Sequence, residues 1–448
     1  MGKTFSPKKS NEWLGTIMNT PICDFLEKYS SQNRLRLHMP GHKGALNPHD
    51  ITEIEGADSL FDSDETGGII AQSEALAAKI FGAEKTLYSC GGSTLAIQAG
   101  LALLKSRGVK TIAASRYSHK SLASAAALLG LGIKWLYPEN YLSADVVYNA
   151  ETLRGADALF VTNIDYYGGT WKFIRPNIPV LIDNAHGAYL KFVDKRQFGT
   201  EYLHPLELGY PLMSAESAHK TLSVLTGGAY LHFAKGFDSS RAKEMMSLFG
   251  SSSPSYLILE SLDRLNDKIA SDIRAVNRAC EMVLQLKTKL TESGVPIAKS
   301  DPLRVTIEAR EWGYSGTDYA AQLRESGVEC EFCDENRVVL LFSSEVTQAD
   351  IERALIAVLF VKQGAPLPKK LYPVIRATAA MPISEAMFKP QKIAAVENAR
   401  GEVCAGLRAP CPPCVPLVMP GEIIDHNIVD ALKAYGVKQI AIIDRAAK

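Results

Sequence analysis

One lysine occupies an unusual position, in the segment Ser217-Ala-His-Lys-Thr. Lys220 lies among small and apolar residues, in a part of the chain that otherwise has the composition of a core. Burial lowers the pKa of an amine and makes it a nucleophile toward carbonyl carbon. A lysine that keeps its ammonium in solvent is the ordinary alternative, and one lysine alone does not exclude it. His219, the preceding residue, is a second candidate for proton transfer at the same place.

An aspartate ends the apolar run Val180-Leu-Ile-Asp, which precedes the lysine in the chain. A carboxylate at the end of a buried strand needs hydrogen bonds or a cationic partner. Asp183 could equally form an Asx turn or cap a helix. His186, three residues later, could cap, pack or contact a ligand, and by itself it decides nothing.

The segment Cys90-Gly-Gly-Ser-Thr-Leu follows a predicted strand and begins a predicted helix. Glycine allows the backbone to approach a ligand, and Gly92, Ser93 and Thr94 can direct donors at an anion beside a helix N-terminus. A glycine turn followed by an ordinary serine N-cap remains open as an alternative. The segment is not a Walker loop, because the chain has no GxxxxGK[ST] pattern.

A histidine follows another predicted strand, in Arg116-Tyr-Ser-His-Lys-Ser. The flat ring of His119 could lie on the ring of a ligand, although a capping or core histidine is equally compatible with the sequence. An anion site, a strand-end aspartate and a lysine, in this order along a parallel sheet, are the parts that hold the phosphate, pyridine nitrogen and aldehyde of pyridoxal 5'-phosphate. The set therefore predicts this cofactor more strongly than any one motif does.

These residues need a scaffold, and the chain has the pattern of one between about residues 86 and 235. Short β-branched runs alternate there with longer helical stretches of small residues. This alternation predicts an α/β fold with a parallel sheet covered by helices, in which ligands collect at the carboxyl ends of the strands. The helices are expected over residues 93–106 and 118–129, and the strands over 86–89, 110–114, 133–136, 158–162, 180–183 and 212–214.

The remainder of the chain divides into further units. We expect an N-terminal segment over residues 1–44, a large domain over 45–294, a small α+β domain over 295–365 and a C-terminal domain over 366–448. A long amphipathic helical region is predicted from about Ser255 to Ser293. Within the small domain, the run from Val328 to Phe332 is predicted to be a strand.

The composition argues against several classes of partner. Forty-nine basic residues balance forty-nine acidic ones, without a long run of one sign. This balance argues against nucleic acid and anionic membrane surfaces as partners and favours a small-molecule substrate. No stretch of about 18 apolar residues occurs, so we expect a cytoplasmic protein.

Eight scattered cysteines indicate reduced thiols rather than a disulfide framework. Two pairs have CxxC spacing. The sulfurs of Cys330 and Cys333 are expected to diverge, because residues three apart in a strand face opposite sides. Cys411 and Cys414 could form a redox pair or bind a metal, but no further histidine or cysteine lies nearby, and no metal site is predicted.

The chain resembles the fold-type I pyridoxal-phosphate enzymes, which have an aspartate aminotransferase-like large domain with a mostly parallel seven-stranded sheet. Within them it is similar to the ornithine/lysine/arginine decarboxylases, in a short form without the N-terminal wing domain. The motifs that carry the resemblance run in the family's order over nearly the whole chain: Met39-Pro-Gly-His-Lys43, Thr52-Glu-Ile-Glu-Gly-Ala-Asp58, Gly92-Ser-Thr94, Ser118-His-Lys-Ser121, Asp183-Asn-Ala-His186, Ser217-Ala-His-Lys-Thr221, Pro412-Pro-Cys-Val-Pro and Pro420-Gly-Glu422.

The resemblance implies a role for each candidate residue. Lys220 would form the Schiff base with the cofactor, Asp183 would pair with the pyridine nitrogen, and His119 would stack on the ring. The phosphate would be held by Ser93, Thr94 and Ser217. His219 would lie beside the lysine and His186 beside the cofactor. The family also implies a homodimer, or a larger assembly, with active sites at the interface.

The implied reaction is decarboxylation of a basic amino acid, and its substrate stays open among arginine, lysine and ornithine. The chain departs from the family at Gly227-Gly228 and at Cys411 and Cys414. A carboxylate must bind the distal cation of the substrate, and six candidates remain: Glu53, Glu55, Asp58, Asp62, Asp64 and Glu422. Two other functions remain open: an aminotransferase, with Arg304 as the carboxylate-binding residue, and an inactive regulatory homologue that binds the cofactor.

Overall fold

The structure is a computed structural model, and it describes residues 20–52, 54–57, 67–138, 146–172, 174–370, 374–407 and 415–446. Its helices are α1 Pro21–Ser31, α2 Ile69–Phe81, α3 Gly92–Ser106, α4 Lys120–Leu129, α5 Lys195–Phe198, α6 Ala218–Thr221, α7 Ala242–Ser247, α8 Tyr256–Ser271, α9 Ala275–Glu292, α10 Gly316–Glu325, α11 Gln348–Phe360, α12 Ile383–Ala386 and α13 His426–Ala434.

The strands form three sheets. The large sheet contains β1 Lys85–Ser89, β2 Thr111–Ser115, β3 Gly132–Leu136, β4 Ala158–Thr162, β5 Val180–Asp183, β6 Met213–Glu216 and β7 Ala229–Phe233. A four-stranded sheet contains β8 Ile297–Ala298, β9 Arg304–Ile307, β10 Phe332–Cys333 and β11 Val338–Leu341. The third sheet pairs β12 Gln391–Ala395 with β13 Gln439–Ile443.

The large sheet has the strand order β1-β7-β6-β5-β4-β2-β3. The pairs from β6 through β5, β4 and β2 to β3 are parallel, whereas β7 runs antiparallel to both of its neighbours, β6 and β1. Because β7 is reversed between them, β1 and β6 point the same way. The carboxyl ends of β1, β2, β4, β5 and β6 therefore lie at one edge of the sheet, as the predicted α/β fold requires.

Apolar side chains cover both faces of this sheet. In β1, Leu87 belongs to a cluster with the residues of α3 and α4, whereas Tyr88 belongs to a cluster with α2 and α8. The same alternation occurs in β4, where Phe160 packs with α3 and α4 and its neighbours Leu159 and Val161 face the other way. Strands that are buried on both faces explain why β4 and β5 are apolar up to their last residues, Thr162 and Asp183.

The predicted helical region from Ser255 to Ser293 consists of two helices. A break at residues 272–274 separates α8 from α9, and Asp272 at the end of α8 accepts a hydrogen bond from the guanidinium of Arg278 in α9. Both helices are amphipathic, so the helical spacing of apolar residues continues through the break. The periodicity predicted the buried face but not the interruption in the backbone.

The prediction of a strand from Val328 to Phe332 is wrong. The strand β10 contains two residues, Phe332 and Cys333, and its register with β11 begins there. Because Cys330 lies outside the strand, the rule that residues three apart face opposite sides does not apply. Both thiols are free and partly buried, and the expected divergence of their sulfurs stays a prediction. Cys411 and Cys414 lie outside the described residues.

Within the part of the chain that the structure describes, no helix is both long enough and apolar enough to cross a membrane.

Candidate active site

The predicted site residues meet at the carboxyl edge of the large sheet. Asp183 is the last residue of β5, and Lys220 lies in the short helix α6, which directly follows β6. The turn between β1 and α3 carries Ser93, and the turn between β2 and α4 carries His119. Because these strands are parallel, their carboxyl ends bring together residues that are far apart in the sequence.

The amine of Lys220 contacts His186. The Nζ atom lies 2.9 Å from His186 Nε2 and 5.7 Å from the ring centroid of Tyr166. Tyr166 also packs edge-on against His186, with a centroid distance of 4.8 Å. The lysine therefore lies between a buried histidine and an aromatic ring, rather than extending along the protein surface.

Arg304 determines the hydrogen-bonding state of His186. Its guanidinium forms a hydrogen bond with His186 Nδ1, and an arginine can only donate. His186 Nδ1 must therefore accept, and in a neutral ring the proton is then on Nε2. That N–H faces Lys220 Nζ, which can accept it only as a neutral amine.

The charges around His186 agree with this assignment. Burial lowers the pKa of His186 well below its usual value, and the nearby positive charge of Arg304 lowers it further. Arg304 is itself fully buried and forms an ion pair with Asp301, whose carboxylate also accepts a hydrogen bond from the hydroxyl of Tyr189. This buried pair anchors the guanidinium against the histidine.

Asp183 is a buried carboxylate whose charge is incompletely balanced. It accepts a hydrogen bond of 3.1 Å from the backbone N–H of Ala185. Burial raises the pKa of Asp183, while the charge of His119 and the hydrogen bond from Ala185 act in the opposite direction without reversing the shift. A further cation at this place would stabilise the ionised carboxylate.

His119 is the N-cap of α4. Its Nδ1 accepts a hydrogen bond of 3.2 Å from the backbone N–H of Ser121, so in the neutral ring Nε2 carries the proton. Burial lowers the pKa of His119, although the nearby charge of Asp183 opposes this shift. His119 therefore caps a helix, which is one of the alternatives that the sequence left open. The capping contact also holds the imidazole ring beside Asp183.

The turn before α3 has the features of an anion site. Gly92 adopts a left-handed φ of 68°, and its N–H donates to Gly227 O at 2.8 Å. Ser217 Oγ donates to Ser93 Oγ at 2.8 Å, which brings two hydroxyls together at the start of the helix. Among the described residues, no side chain caps α3, so its first N–H groups face this turn. Thr94, next in the helix, is exposed.

The two glycines at which the chain departs from the family shape the loop after Lys220. Gly227 has a φ of 99°, and a Cβ there would meet Cys90 O at 3.1 Å. A Cβ on Gly228 would meet Val224 Cγ1 at 2.3 Å. The N–H of Gly227 donates to His219 Nδ1 at 3.0 Å. The glycines therefore let this loop close onto the α3 turn, and burial lowers the pKa of His219.

Sequence reasoning missed Tyr166 and the contact between Arg304 and His186. Tyr166 follows β4, so a search of every parallel strand end would have found it. Arg304 is 118 residues from His186 and belongs to a different sheet, and no sequence spacing indicates that contact.

Comparison with known proteins identifies the family. A family model described as Orn/Lys/Arg decarboxylase, major domain, matches residues 45–306, which is more than half of the chain. The chain belongs to the Orn/Lys/Arg decarboxylase family. This membership confirms the resemblance found in the motifs, and it implies pyridoxal 5'-phosphate as the cofactor and decarboxylation of amino acids as the chemistry.

Relatives of this decarboxylase family cover almost the whole chain. Arginine decarboxylase of Bacillus subtilis (strain 168) is 28% identical over 462 residues, which are 91% of this chain and 92% of the relative. The uncharacterized protein YaaO of the same organism is 27% identical, with 93% and 94% covered.

Solved structures share the fold. Lysine decarboxylase LdcF of Francisella novicida has a TM-score of 0.76 at 15% identity, with 96% of this chain and 82% of that chain covered. The constitutive lysine decarboxylase of E. coli has a TM-score of 0.74 at 16% identity, with 95% and 82% covered. These likenesses confirm the predicted fold-type I pyridoxal-phosphate fold.

The residues at the carboxyl edge fit the cofactor of this decarboxylase family. Asp183 is a buried carboxylate whose pKa is raised by burial, and a protonated pyridine nitrogen is the kind of cation that it lacks. The paired hydroxyls of Ser93 and Ser217 lie at an uncapped helix N-terminus, which suits a phosphate. Lys220 supplies an amine for the aldehyde.

Two of the six acidic candidates for the distal cation of the substrate can be placed. Glu55 is exposed. Glu422 is buried and forms an ion pair of 2.8 Å with Arg116, but burial raises its pKa in spite of that charge. The ion pair joins the turn after β2 to the C-terminal part of the chain. The other four candidates lie outside the described residues: Glu53, Asp58, Asp62 and Asp64.

Proposed function

We propose that this chain uses pyridoxal phosphate to decarboxylate arginine, lysine or ornithine, with Lys220 as the residue that bonds the cofactor. The observation that supports this most directly is the position of Lys220 Nζ, 2.9 Å from His186 Nε2 at the carboxyl edge of the sheet. In a chain of this family, such a neutral amine beside a buried carboxylate is arranged for nucleophilic attack on an aldehyde.

Each neighbouring residue has a holding role in this proposal. The cofactor, when bound, supplies a conjugated ring that accepts the electron pair left by the departing carboxylate. Asp183 keeps a proton on the ring nitrogen, because an ionised carboxylate favours the charged form of its partner. The phosphate is held by Ser93, Thr94 and Ser217, together with the backbone of Gly92. His119 covers the ring from the N-cap of α4.

Two groups beside the site can return a proton to Cα of the substrate. Lys220 is the first, and His219 is the second. His219 Nδ1 accepts from Gly227 N–H, so in the neutral ring the proton is on Nε2 and can be donated. His186 orients Lys220, and Arg304 orients His186.

Arginine is the first substrate to test. Four relatives that are 25–28% identical are named arginine decarboxylase, whereas the lysine decarboxylases are matched at 15–18% identity. The amine formed from any of the three amino acids would place this chain in polyamine biosynthesis. Arg304 does not favour the aminotransferase alternative, because its guanidinium is already paired with Asp301 and His186.

We also propose that the chain acts as a homodimer in the cytoplasm. Three leucines that precede α2 are strongly exposed in the single chain: Leu35 at 84%, Leu37 at 84% and Leu46 at 83%. Leucines so exposed on one segment are typical of a surface that a second subunit covers. The six described cysteines are free thiols, which suits a reducing compartment.

Product analysis tests the reaction directly. The cofactor-loaded protein is incubated with arginine, lysine and ornithine in turn, and the products are identified. We expect CO₂ and the corresponding amine from one of the three. A keto acid would instead identify an aminotransferase, and a loaded protein that converts none of a broad amino-acid panel would identify the inactive homologue.

A further inference from the structure

One hydroxyl at the carboxyl edge of the large sheet has no partner within the described part of the chain. Thr162 is the last residue of β4, and its Oγ1 atom is buried there without a hydrogen bond. A threonine hydroxyl can donate one hydrogen bond, and burying it without a partner costs free energy. Because native proteins usually pair such groups, an unpaired hydroxyl beside a ligand site is a candidate for contact with the ligand.

The register of the sheet places Thr162 beside Asp183. The two residues are partners in the parallel ladder between β4 and β5. Neighbouring strands lie about 4.8 Å apart, and partners in register point their side chains to the same face. The next residues along, Asn163 and Asn184, point to the opposite face, where Asn163 Nδ2 donates to Asn184 Oδ1 at 2.7 Å. The side chains of Thr162 and Asp183 are therefore neighbours on one face.

This face is the one that α3 and α4 cover. Phe160 lies two residues before Thr162 on β4, and Leu181 lies two residues before Asp183 on β5. Both belong to the apolar cluster that contains the residues of α3 and α4. The turn before α3 has the features of an anion site, and the turn before α4 carries His119. Thr162 therefore shares its face of the sheet with the other candidate site residues.

The strand order determines which side of the cofactor ring Thr162 would meet. In pyridoxal phosphate the aldehyde carbon lies opposite the ring nitrogen, with the phenolic oxygen on one side of that axis and the phosphate arm on the other. The strand β5 lies between β6, which Ser217 directly follows, and β4, which ends at Thr162. With the ring nitrogen at Asp183 and the phosphate at Ser217, the phenolic oxygen is on the side of Thr162.

We propose that the Thr162 hydroxyl donates a hydrogen bond to the phenolic oxygen of bound pyridoxal phosphate. The inference rests on the proposed function, because it takes Asp183 as the partner of the ring nitrogen and Ser217 as a phosphate residue. Thr162 belongs to none of the motifs that carry the family resemblance. A hydrogen bond to a charged oxygen is stronger than one between neutral groups, so this contact holds the ring edge and draws charge from the oxygen.

A second threonine of the same segment provides a matched control. Thr170 forms an isolated β-bridge with Ile164, and its Oγ1 atom is likewise buried without a hydrogen bond to any described residue. Both threonines are half-buried as whole residues. Thr170 does not lie on a strand of the large sheet and has no register partner in the site. Thr162→Val and Thr170→Val therefore remove the same group at two places, only one of which faces the ring.

The first test measures binding of pyridoxamine 5'-phosphate to the cofactor-free full-length chain. This compound keeps the ring nitrogen, the phenolic oxygen and the phosphate but has no aldehyde, so its affinity does not depend on a bond to Lys220. We expect the Kd to rise about tenfold in Thr162→Val through the loss of one hydrogen bond to a charged oxygen. Thr162→Ser keeps the hydroxyl and should stay within about twofold of the unmodified chain, as should Thr170→Val. Equal Kd values for the two valine variants would overturn the proposal.

An analogue separates the contact from damage to the fold. A deoxy form of pyridoxamine phosphate that lacks the phenolic oxygen cannot accept the hydrogen bond from Thr162. We therefore expect the unmodified chain and Thr162→Val to bind this analogue with equal Kd. If Thr162→Val weakens binding of both compounds equally, the loss does not involve the phenolic oxygen and the proposal fails.

The visible absorbance of the cofactor-loaded protein provides a second measurement. This absorbance changes as the nitrogen that joins the cofactor to the protein loses a proton, which the phenolic oxygen also holds. A donor to that oxygen draws charge from it and weakens its hold on the proton. The pKa of the bound cofactor should therefore rise by about one pH unit in Thr162→Val and stay unchanged in Thr170→Val. An unchanged or lowered pKa in Thr162→Val would contradict the contact.

The outcomes distinguish this inference from the proposed reaction. If Thr162→Val shows the expected loss in pyridoxamine phosphate binding but the loaded unmodified chain decarboxylates no amino acid, the proposed reaction fails and the contact stands. If the loaded chain forms CO₂ and an amine but the two valine variants bind pyridoxamine phosphate equally, the contact fails and the reaction stands.

Discussion

Asp183 and Glu216 are buried carboxylates at the ends of two neighbouring strands, and they differ in how completely they are paired. Glu216 accepts hydrogen bonds from His204, Asn184 and Ser214. Burial alone would raise its pKa, but the interactions with His204 and His232 outweigh burial and hold it well below the usual value. For Asp183 burial prevails, and the pKa is raised.

The difference separates a structural carboxylate from a binding one. Glu216 has its full set of donors within the protein and lies behind the site, where it ties β6 to Asn184, the residue after Asp183. In the proposed function Asp183 pairs with the cofactor ring, and burial raises the pKa of this carboxyl. A buried carboxylate with incomplete compensation is a candidate for binding a ligand.

Removing the charge of Asp183 should have the largest effect. Asp183→Asn keeps the size of the side chain but cannot hold a proton on the ring nitrogen, so we expect a loss of about 100- to 1000-fold in kcat. Thermal unfolding should change little, because asparagine still accepts from Ala185. The measurement is kcat of the cofactor-loaded variant, and an unchanged kcat would remove Asp183 from this role.

Replacing the carboxylate of Glu216 by an amide should instead reduce stability strongly and kcat only weakly. Glu216→Gln replaces an acceptor oxygen by an amide that faces the donors of His204 and Asn184. Leaving a buried donor without an acceptor costs about 2 kcal/mol of the free energy of unfolding. Urea unfolding measures this loss, and kcat at a temperature well below unfolding should fall far less than in Asp183→Asn. If Glu216→Gln loses kcat but keeps its free energy of unfolding, Glu216 has the role that is assigned to Asp183.

The lowered pKa of Glu216 should determine how the stabilities of the unmodified chain and of Glu216→Gln differ in acid. A carboxylate whose pKa is lower in the folded state stabilises the fold above its unfolded pKa, and the contribution is lost as pH falls through the folded value. The stability difference between the unmodified chain and Glu216→Gln should therefore be constant near neutral pH and shrink in acid. Urea midpoints over this range test it, and a difference that grows in acid would contradict the lowered pKa.

The smallest effect is expected at Arg304. Arg304→Lys retains a positive charge for Asp301, but an ammonium cannot reach both that carboxylate and His186. Lys220 would then be less well oriented, and we expect kcat to fall about tenfold, or about 1.4 kcal/mol. Arg337→Lys is the matched control, because Arg337 pairs with Glu308 on the same small sheet. Equal losses in both variants would contradict a specific role for Arg304.

Periodicity and motif order were sufficient to predict six of the seven strands of the large sheet, all but β7, and the residues at their ends. The apolar runs of β4 and β5 and the positions of Asp183 and Lys220 follow from rules that act over a few residues. The antiparallel direction of β7 does not follow from them, because an isolated strand has the same pattern in either direction. The assigned domain boundaries stay a prediction.

Contacts between distant elements could not be predicted. The hydrogen bond between Arg304 and His186 joins two sheets, and the break between α8 and α9 lies in a sequence whose helical period continues. The strand β10 begins at Phe332 and not at Val328 as predicted, and strand boundaries are the part of a sequence prediction that is specified least well.

The central claim is that Lys220 bonds the cofactor. Its most direct measurement is borohydride reduction of the cofactor-loaded protein, followed by digestion and mapping of the tagged peptide. The account predicts one tag per chain, on Lys220, and no tag in a Lys220→Ala variant that still folds. A tag on another lysine, or none on a protein that is shown to hold the cofactor, would contradict it.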